Sequence, residues 1–267
     1  MDVGTFLVSA KEAALQAGAL LKENSSKTPE IRFKGAVDLV TDIDSRAQEL
    51  IIERLGERFP GHDFLAEEDQ NREGDSEYLW IIDPLDGTTN FAHNYPVFCV
   101  SIALIREGQV LLGVVFDPMR DELFTAVKGE GATANGRTIG VSCVRELDKS
   151  LLATGFPYDL RESRVNNISH FVNFVTRVQG IRRGGSAALD LCYVACGRFD
   201  GFWELKLQPW DVAAGGLVVL EAGGRVSDFC GGPFRLSGKE TLATNGLIHQ
   251  QMIDVLQKKI ERNGKKE

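Results

Sequence analysis

Two carboxylates stand three residues apart in Trp80-Ile81-Ile82-Asp83-Pro84-Leu85-Asp86-Gly87-Thr88-Thr89-Asn90-Phe91, at the end of an apolar run. Pro84 forbids an ordinary helix interior between them, so both acids are expected to face one cleft. At ~4 Å two carboxylates repel by about 4 kcal/mol at an effective dielectric near 20, and they need a cation or a proton. Hard oxygen donors without a neighbouring His or Cys select Mg²⁺, Mn²⁺ or Ca²⁺ over Zn²⁺. Gly87-Thr88-Thr89 follows directly and offers open backbone N–H groups and hydroxyls at an expected helix start, where anions bind. Metal ligands touching an anion hole point to phosphate chemistry. The same four residues Asp-Pro-x-Asp can form a surface turn, but the apolar run before them and Thr-Thr-Asn after them favour a site.

Other acids have a structural alternative. Glu67-Glu68-Asp69 follows Phe64-Leu65-Ala66, and alone reads as a solvated loop. Asp44 is expected to cap the helix that carries Ala47 and Ile51, and a cap can also hold a water. Asp211 starts an apolar helix after Pro209, either as a cap or as part of a tightly packed helix start beside a pocket. Several patterns are decoys. Gly129-Glu130-Gly131-Ala132-Thr133-Ala134 runs into Asn135-Gly136, a hairpin turn signal, instead of a helix. Gly184-Gly185-Ser186-Ala187-Ala188 lacks the second glycine of a nucleophile elbow, and none of the four His residues has HExxH spacing. Cys192 and Cys196 lack both a CxxC partner and a near His, so buried packing is expected.

These residues need elements to hold them. Phe6, Ala10, Ala13, Ala14, Ala17 and Leu21 form a helical stripe, and Ala47, Ile51 and Leu55 a second one that stops at Phe59-Pro60-Gly61. Ile31 to Val40 reads as strand or loop, and Tyr78 to Ile82 as a strand closed by Asp-Pro. Phe98 to Ile105 and Val110 to Phe116 form an expected hairpin, followed by Asp121 to Val127 and Thr138 to Val141. From Leu151 strands alternate with helices: strand 151–154, helices 164–178 and 186–196, strand 199–205, helix 211–221, strand 225–228 and a last helix to Ile260. The spacing predicts an α+β first part (about 1–150) with an antiparallel sheet and an α/β second part (151–267) of one unit.

The whole chain bounds the function. With 267 residues, 43% hydrophobic and 25% charged, it reads as an ordinary globular protein. A net charge of -8 argues against a nucleic-acid backbone as partner. Five cysteines are odd in number and too sparse for a disulfide framework, which fits a reducing cytoplasm. Asp2, Lys11 and Glu12 interrupt the opening apolar stretches, so neither a signal peptide nor a membrane span is expected.

Trp80 to Phe91 and Trp210 to Gly224 (WDVAAGGLVVLEAGG) resemble the two hallmark segments of the inositol monophosphatase family. Glu67-Glu68, the stretch from Val37 to Asp44, and Gly184 to Asp190 occur in the family's order, and the resemblance spans nearly the whole chain. It implies a layered αβαβα sandwich and a Mg²⁺-dependent, lithium-sensitive phosphomonoesterase acting on inositol 1-phosphate, usually as a homodimer. It places Glu67, Asp83 and the Leu85 carbonyl on one Mg²⁺, and Asp83, Asp86 and Asp211 on a second. Glu67 reaches a third, weaker ion whose water Asp44 orients. By the same resemblance Gly87 and Thr88 hold phosphate, Thr88 and Glu67 activate water, and Lys34 lies on a mobile loop near the metals. Ala187 and Glu204 face the sugar hydroxyls, with Arg183 beside them. Fructose 1,6-bisphosphate, histidinol phosphate, NADP or a sulfonucleotide are alternative substrates on this scaffold. A catalytically silent binding module is the reading from another class, and the intact acids and Thr88 count against it.

Overall fold

The stripe from Phe6 to Leu21 forms α1 (Val3–Asn24), buried on the apolar side. The computed structural model describes residues 2–27, 31–33, 39–68 and 74–258, with the backbone alone over 31–33 and 39–40. The short antiparallel pair β1 (Ile31–Phe33) and β2 (Leu39–Thr41) leads into α2 (Asp42–Arg58). A seven-stranded sheet follows in sequence order: β3 (Asp63–Ala66), β4 (Tyr78–Asp86), β5 (Cys99–Arg106), β6 (Gln109–Asp117), β7 (Glu122–Val127), β8 (Gly131–Ala134) and β9 (Arg137–Thr138). The helix α3 (Thr88–Ala92) interrupts it after β4.

The second part contains β10 (Leu151–Thr154), α4 (Ile168–Val175), β11 (Gly180–Arg182), α5 (Ala187–Ala195), β12 (Gly201–Leu205), α6 (Pro209–Glu221), β13 (Arg225–Ser227), β14 (Glu240–Thr244) and α7 (His249–Leu256). Its five strands pair in the order β11-β10-β12-β14-β13. Three apolar clusters fix the layers. Trp80, Ile82, Ile102 and Val114 pack under α1 and α2. Ile81, Ala103 and Val115, on the opposite face of the same strands, pack with α5 and α6 against Ala153 and Phe202 of the second sheet. Leu152 and Trp203 turn to the far side and meet Phe174 of α4 and Met252 of α7. The result is the expected αβαβα sandwich. Because both sheets are covered on both faces, their strands read as continuous apolar runs.

Close approach needs small residues at the middle layer. A Cβ at Gly113 of β6 would lie 2.8 Å from the Ala214 backbone of α6, so that helix sits directly on the sheet.

Several boundaries differ from expectation. β4 does not close at Asp83 but runs on to Asp86, with a register shift between those two residues. Such an irregularity accommodates a proline that cannot donate to the ladder. The first sheet is antiparallel except for β3, which pairs parallel to β4. Asp44 and Asp211 are not N-caps: Thr41 and Gln208 are, and both acids sit at the third helical position, accepting from the cap residue's N–H. α4 is shorter than 164–178 because Asn167, at φ 67°, turns the chain before it. β11 and β14 lacked a distinctive sequence pattern. The last helix ends at Leu256 with Gln257 as its C-cap, short of the expected Ile260, and residues from Lys259 on lie outside the described residues.

Candidate active site

β4, α3, α5, β12 and α6 all end or begin at one cleft of about 520 Å³, whose walls include Glu67, Asp83, Leu85, Asp86, Gly87, Thr88, Arg183, Ala187, Glu204 and Asp211. Residues up to 144 positions apart in the chain are thereby brought together. Lys34 lies outside the described residues. Asp44 sits behind the wall, linked to it through Thr88.

The acids at one end repel one another. Burial raises the proton affinity of Asp83 well above the ordinary carboxylate range, and the charges of Glu67, Asp86 and Asp211 raise it further. Burial likewise raises Asp86, and burial with the Asp86 charge raises Asp211. The leading effects on these three acids are burial, like charges and hydrogen bonds, with no cationic side chain among them. Each acid is nevertheless oriented. Asp83 Oδ1 accepts from Leu85 N at 3.0 Å. Asp86 Oδ2 accepts from Ser186 Oγ and Ala188 N, both at 2.7 Å, at the start of α5. Asp211 Oδ2 accepts from Gln208 N at 2.6 Å. Asp83 Oδ2 and Asp211 Oδ1 accept no hydrogen bond from the described residues. Oriented, all-oxygen, mutually repelling donors suit a hard cation. Among the described residues no group of three or more acidic, His or Cys side chains is already arranged to hold a metal ion; one oxygen of each aspartate is taken up by protein donors, those of Asp83 and Asp211 by their own loops and that of Asp86 by the start of α5.

Thr88 joins the acids to α2. Its hydroxyl lies 3.1 Å from both Asp44 Oδ1 and the Leu85 carbonyl oxygen. Asp44 Oδ2 accepts from Thr41 N and Thr41 Oγ1, and burial raises Asp44 to about 6. Before α3, Gly87 has φ 105°, and a Cβ there would lie 2.9 Å from Val97 O. Only glycine fits both the left-handed backbone and that approach.

The other end holds mixed charge. Glu204 is pushed up to about 8 by burial, partly offset by Arg183. Burial thus favours the protonated form of Glu204, in which one carboxyl oxygen donates and the other accepts. Asp190, which sequence reasoning missed, lines the same end, buried and raised well above the ordinary range by burial and then by Glu204. It is the one charged residue of α5, AALDLCYVA; a lone acid in an apolar helix was the available signal. Ser186 was also missed: it caps α5, accepting from Leu189 N, while it donates to Asp86. Cys99 Sγ lies 3.5 Å from Ser186 Oγ and its thiol is held protonated by burial. All five cysteines are unpaired, with Cys192 buried and Cys196 partly so.

Comparison with known proteins agrees with this geometry. The model of the inositol monophosphatase family matches residues 2–261. An inositol-1-monophosphatase of Synechocystis is 50% identical over 257 residues, 96% of this chain and 90% of that protein. The Nus factor SuhB of Escherichia coli K12 is 48% identical, covering 91% and 92% of the two chains. The solved inositol monophosphatase of Anabaena (Nostoc) sp. PCC 7120 superposes with a TM-score of 0.88 at 46% identity, over 96% of each chain. A family match over nearly the whole length, relatives close to half identical and a shared fold together establish that this chain belongs to the inositol monophosphatase family.

Proposed function

We propose that this phosphatase hydrolyses inositol 1-phosphate to inositol and phosphate with Mg²⁺, and that two or three ions bind at the Asp83 end of the cleft. The observation that carries this reading is the cluster of Asp83, Asp86 and Asp211, oriented by backbone hydrogen bonds and, among the described residues, with no cationic side chain in the leading effects on their charge. Glu67, Asp83, Asp86, Asp211 and the Leu85 carbonyl would hold the ions. Bound Mg²⁺ would neutralise charge on the phosphoryl and leaving oxygens and lower the pKa of water. Thr88, anchored to Asp44, orients the attacking water, and Glu67 accepts its proton. The water oxygen bonds to phosphorus as the bond to the alcohol oxygen breaks, the departing alkoxide takes a proton from solvent water, and the proton held by Glu67 returns to solvent; no covalent phosphoenzyme forms. Gly87 and the Thr88 hydroxyl bind phosphate. Ala187, Arg183 and Glu204 meet the hydroxyls of the alcohol.

Release of phosphate from a panel of phosphomonoesters, with and without Mg²⁺, tests this. Inositol 1-phosphate should lead the panel and activity should vanish with EDTA; a clear preference for fructose 1,6-bisphosphate, histidinol phosphate or NADP would move the substrate within the family. Tens of millimolar Li⁺, roughly the scale at which weak ion sites fill, should inhibit uncompetitively.

Two further parts of the proposal concern setting. No helix among the described residues is long and apolar enough to cross a membrane, and the unpaired cysteines fit a reducing cytoplasm. The chain is proposed to form a homodimer, to which the exposed apolar side chains Val165, Ile168, Val172 and Val175 on and beside α4 lend support. Light scattering on the purified chain measures the mass directly.

A further inference from the structure

At the alcohol end of the cleft, Gly155 lies directly against Glu204. A Cβ built on Gly155 would overlap the carboxyl carbon and both carboxyl oxygens of Glu204. The backbone does not demand glycine there, since Gly155 is absent from the positive-φ residues. The requirement comes from the neighbour alone. We propose that Gly155 is the specificity-determining residue of this end: by carrying no side chain it leaves the space from which the Glu204 carboxyl group reaches a ring alcohol bearing several hydroxyls.

Both main chains at this contact are tied down. The Gly155 carbonyl accepts from Asn167 Nδ2 at 2.6 Å. Thr154 pairs with Trp203 in the parallel ladder of β10 and β12, and its hydroxyl donates to the Trp203 carbonyl at 2.6 Å. Asn167 Oδ1 accepts from the Trp203 indole at 2.8 Å, which closes the loop. Only the end of the Glu204 side chain is free to yield. A methyl group at position 155 therefore moves the carboxyl group and leaves the strands in place. Asp190 repeats the arrangement, because a Cβ at Gly184 would lie 2.8 Å from its Oδ1. Among the described residues no glycine crowds Asp83, Asp86 or Asp211 in this way. Within the cleft, glycine thus lies against Glu204 and Asp190 and not against Asp83, Asp86 or Asp211.

This inference rests on the polyol role given to Glu204 above, and the test separates the two. The kcat/KM for myo-inositol 1-phosphate and for glycerol 2-phosphate is measured in Mg²⁺ on the native protein, G155A, E204A and G155A/E204A, with thermal unfolding of each. Glycerol 2-phosphate presents fewer hydroxyls, so the ratio of the two values reports recognition of the alcohol. Loss of a hydrogen bond involving a charged or strongly polar group corresponds to about ten- to a hundredfold. G155A should lower the ratio by that factor, E204A should do the same, and the double variant should match E204A, since the methyl group then has nothing to displace. An E204A that lowers both substrates equally overturns the polyol role and the inference with it. An E204A that discriminates, beside a G155A that does not, overturns the inference alone. So does a double variant whose losses add. If G155A fails to fold, the comparison of E204A with the double variant decides: equality supports the clash with Glu204, and a further loss of folding shows that glycine serves the backbone.

Discussion

Asp83 and Asp117 are both buried aspartates of one sheet, on the strands β4 and β6 that flank β5, and they are treated in opposite ways. Asp117 Oδ1 accepts from Met119 N and Arg120 N at 2.9 and 3.0 Å, while Oδ2 takes Arg120 Nη1 at 2.9 Å and the Tyr193 hydroxyl. Asp200 is similar, with Ser142 Oγ on one oxygen and Leu151 N on the other. Asp83 receives one backbone N–H and three like charges. A saturated buried acid stabilises a turn; an oriented but unsaturated one stores repulsion that only a guest cation or a proton relieves. Burial alone therefore says little about an acid's role. Saturation separates the two.

The contrast fails if these acids respond alike to substitution. The largest effect is expected at Asp83. D83N should lower kcat/KM in Mg²⁺ by about a thousandfold or more, roughly 4 kcal/mol of barrier, while the metal-free protein melts no lower than native, because one like charge has gone. A D83N protein with near-native turnover would remove Asp83 from the site. Next comes Ser186, which orients Asp86 through its hydroxyl. Loss of such an outer partner typically costs about ten- to a hundredfold in metal affinity or activity, so Mn²⁺ titration of S186A by electron spin resonance should show weakened binding, and S186T should restore it.

At Asp117 the effect should move to stability. D117N is expected to lose about 1 to 3 kcal/mol in urea denaturation, with kcat/KM per folded molecule within about twofold of native. A D117N protein that folds normally but turns over poorly would break the comparison from the other side. The smallest effect is a pH dependence. His249 is buried between Ser227 Oγ at 2.9 Å and Thr244 Oγ1 at 2.8 Å. Burial, with the Arg225 charge, lowers it from 6.5 to about 4. The unfolded chain thus takes up this proton first as pH falls, and stability is lost progressively from about pH 6.5 until the folded pKa is passed. The stability of native protein relative to H249Q should fall by about 1 to 2 kcal/mol between pH 7 and 4.5; a constant difference would show that His249 is free to charge in the fold.

Much of this was legible in the chain. The apolar strand before Asp83, the proline that keeps the acids out of a helix and the Gly-Thr-Thr behind them are local, and local patterns survive folding. The stripes of α1 and α2 and the hairpin turns were equally direct. Asp190 and Ser186 were not, because their meaning lies in neighbours 14 and 100 positions away, Glu204 and Asp86. The caps were misassigned for a related reason: Thr41-Asp42-Ile43-Asp44 offers several residues that can cap, and the geometry chooses Thr41 so that Asp44 can face Thr88. The continuation of β4 past Pro84 depends on β5 shifting register opposite it, which no single segment encodes.

The contact of Gly113 with the Ala214 backbone has a consequence for how such an enzyme changes over time. Asp211 stands one turn before Ala214 on a helix that rests main chain to main chain on the sheet bearing Asp83. The span between Asp83 and Asp211 is thus set by two backbones and does not drift when core side chains are exchanged. Glu204 is placed instead by a side chain leaning on an empty position. On the proposed roles, one end of the cleft is a fixed chassis and the other an adjustable fitting, and new alcohols come within reach of single substitutions that leave the cutting of the phosphate ester untouched.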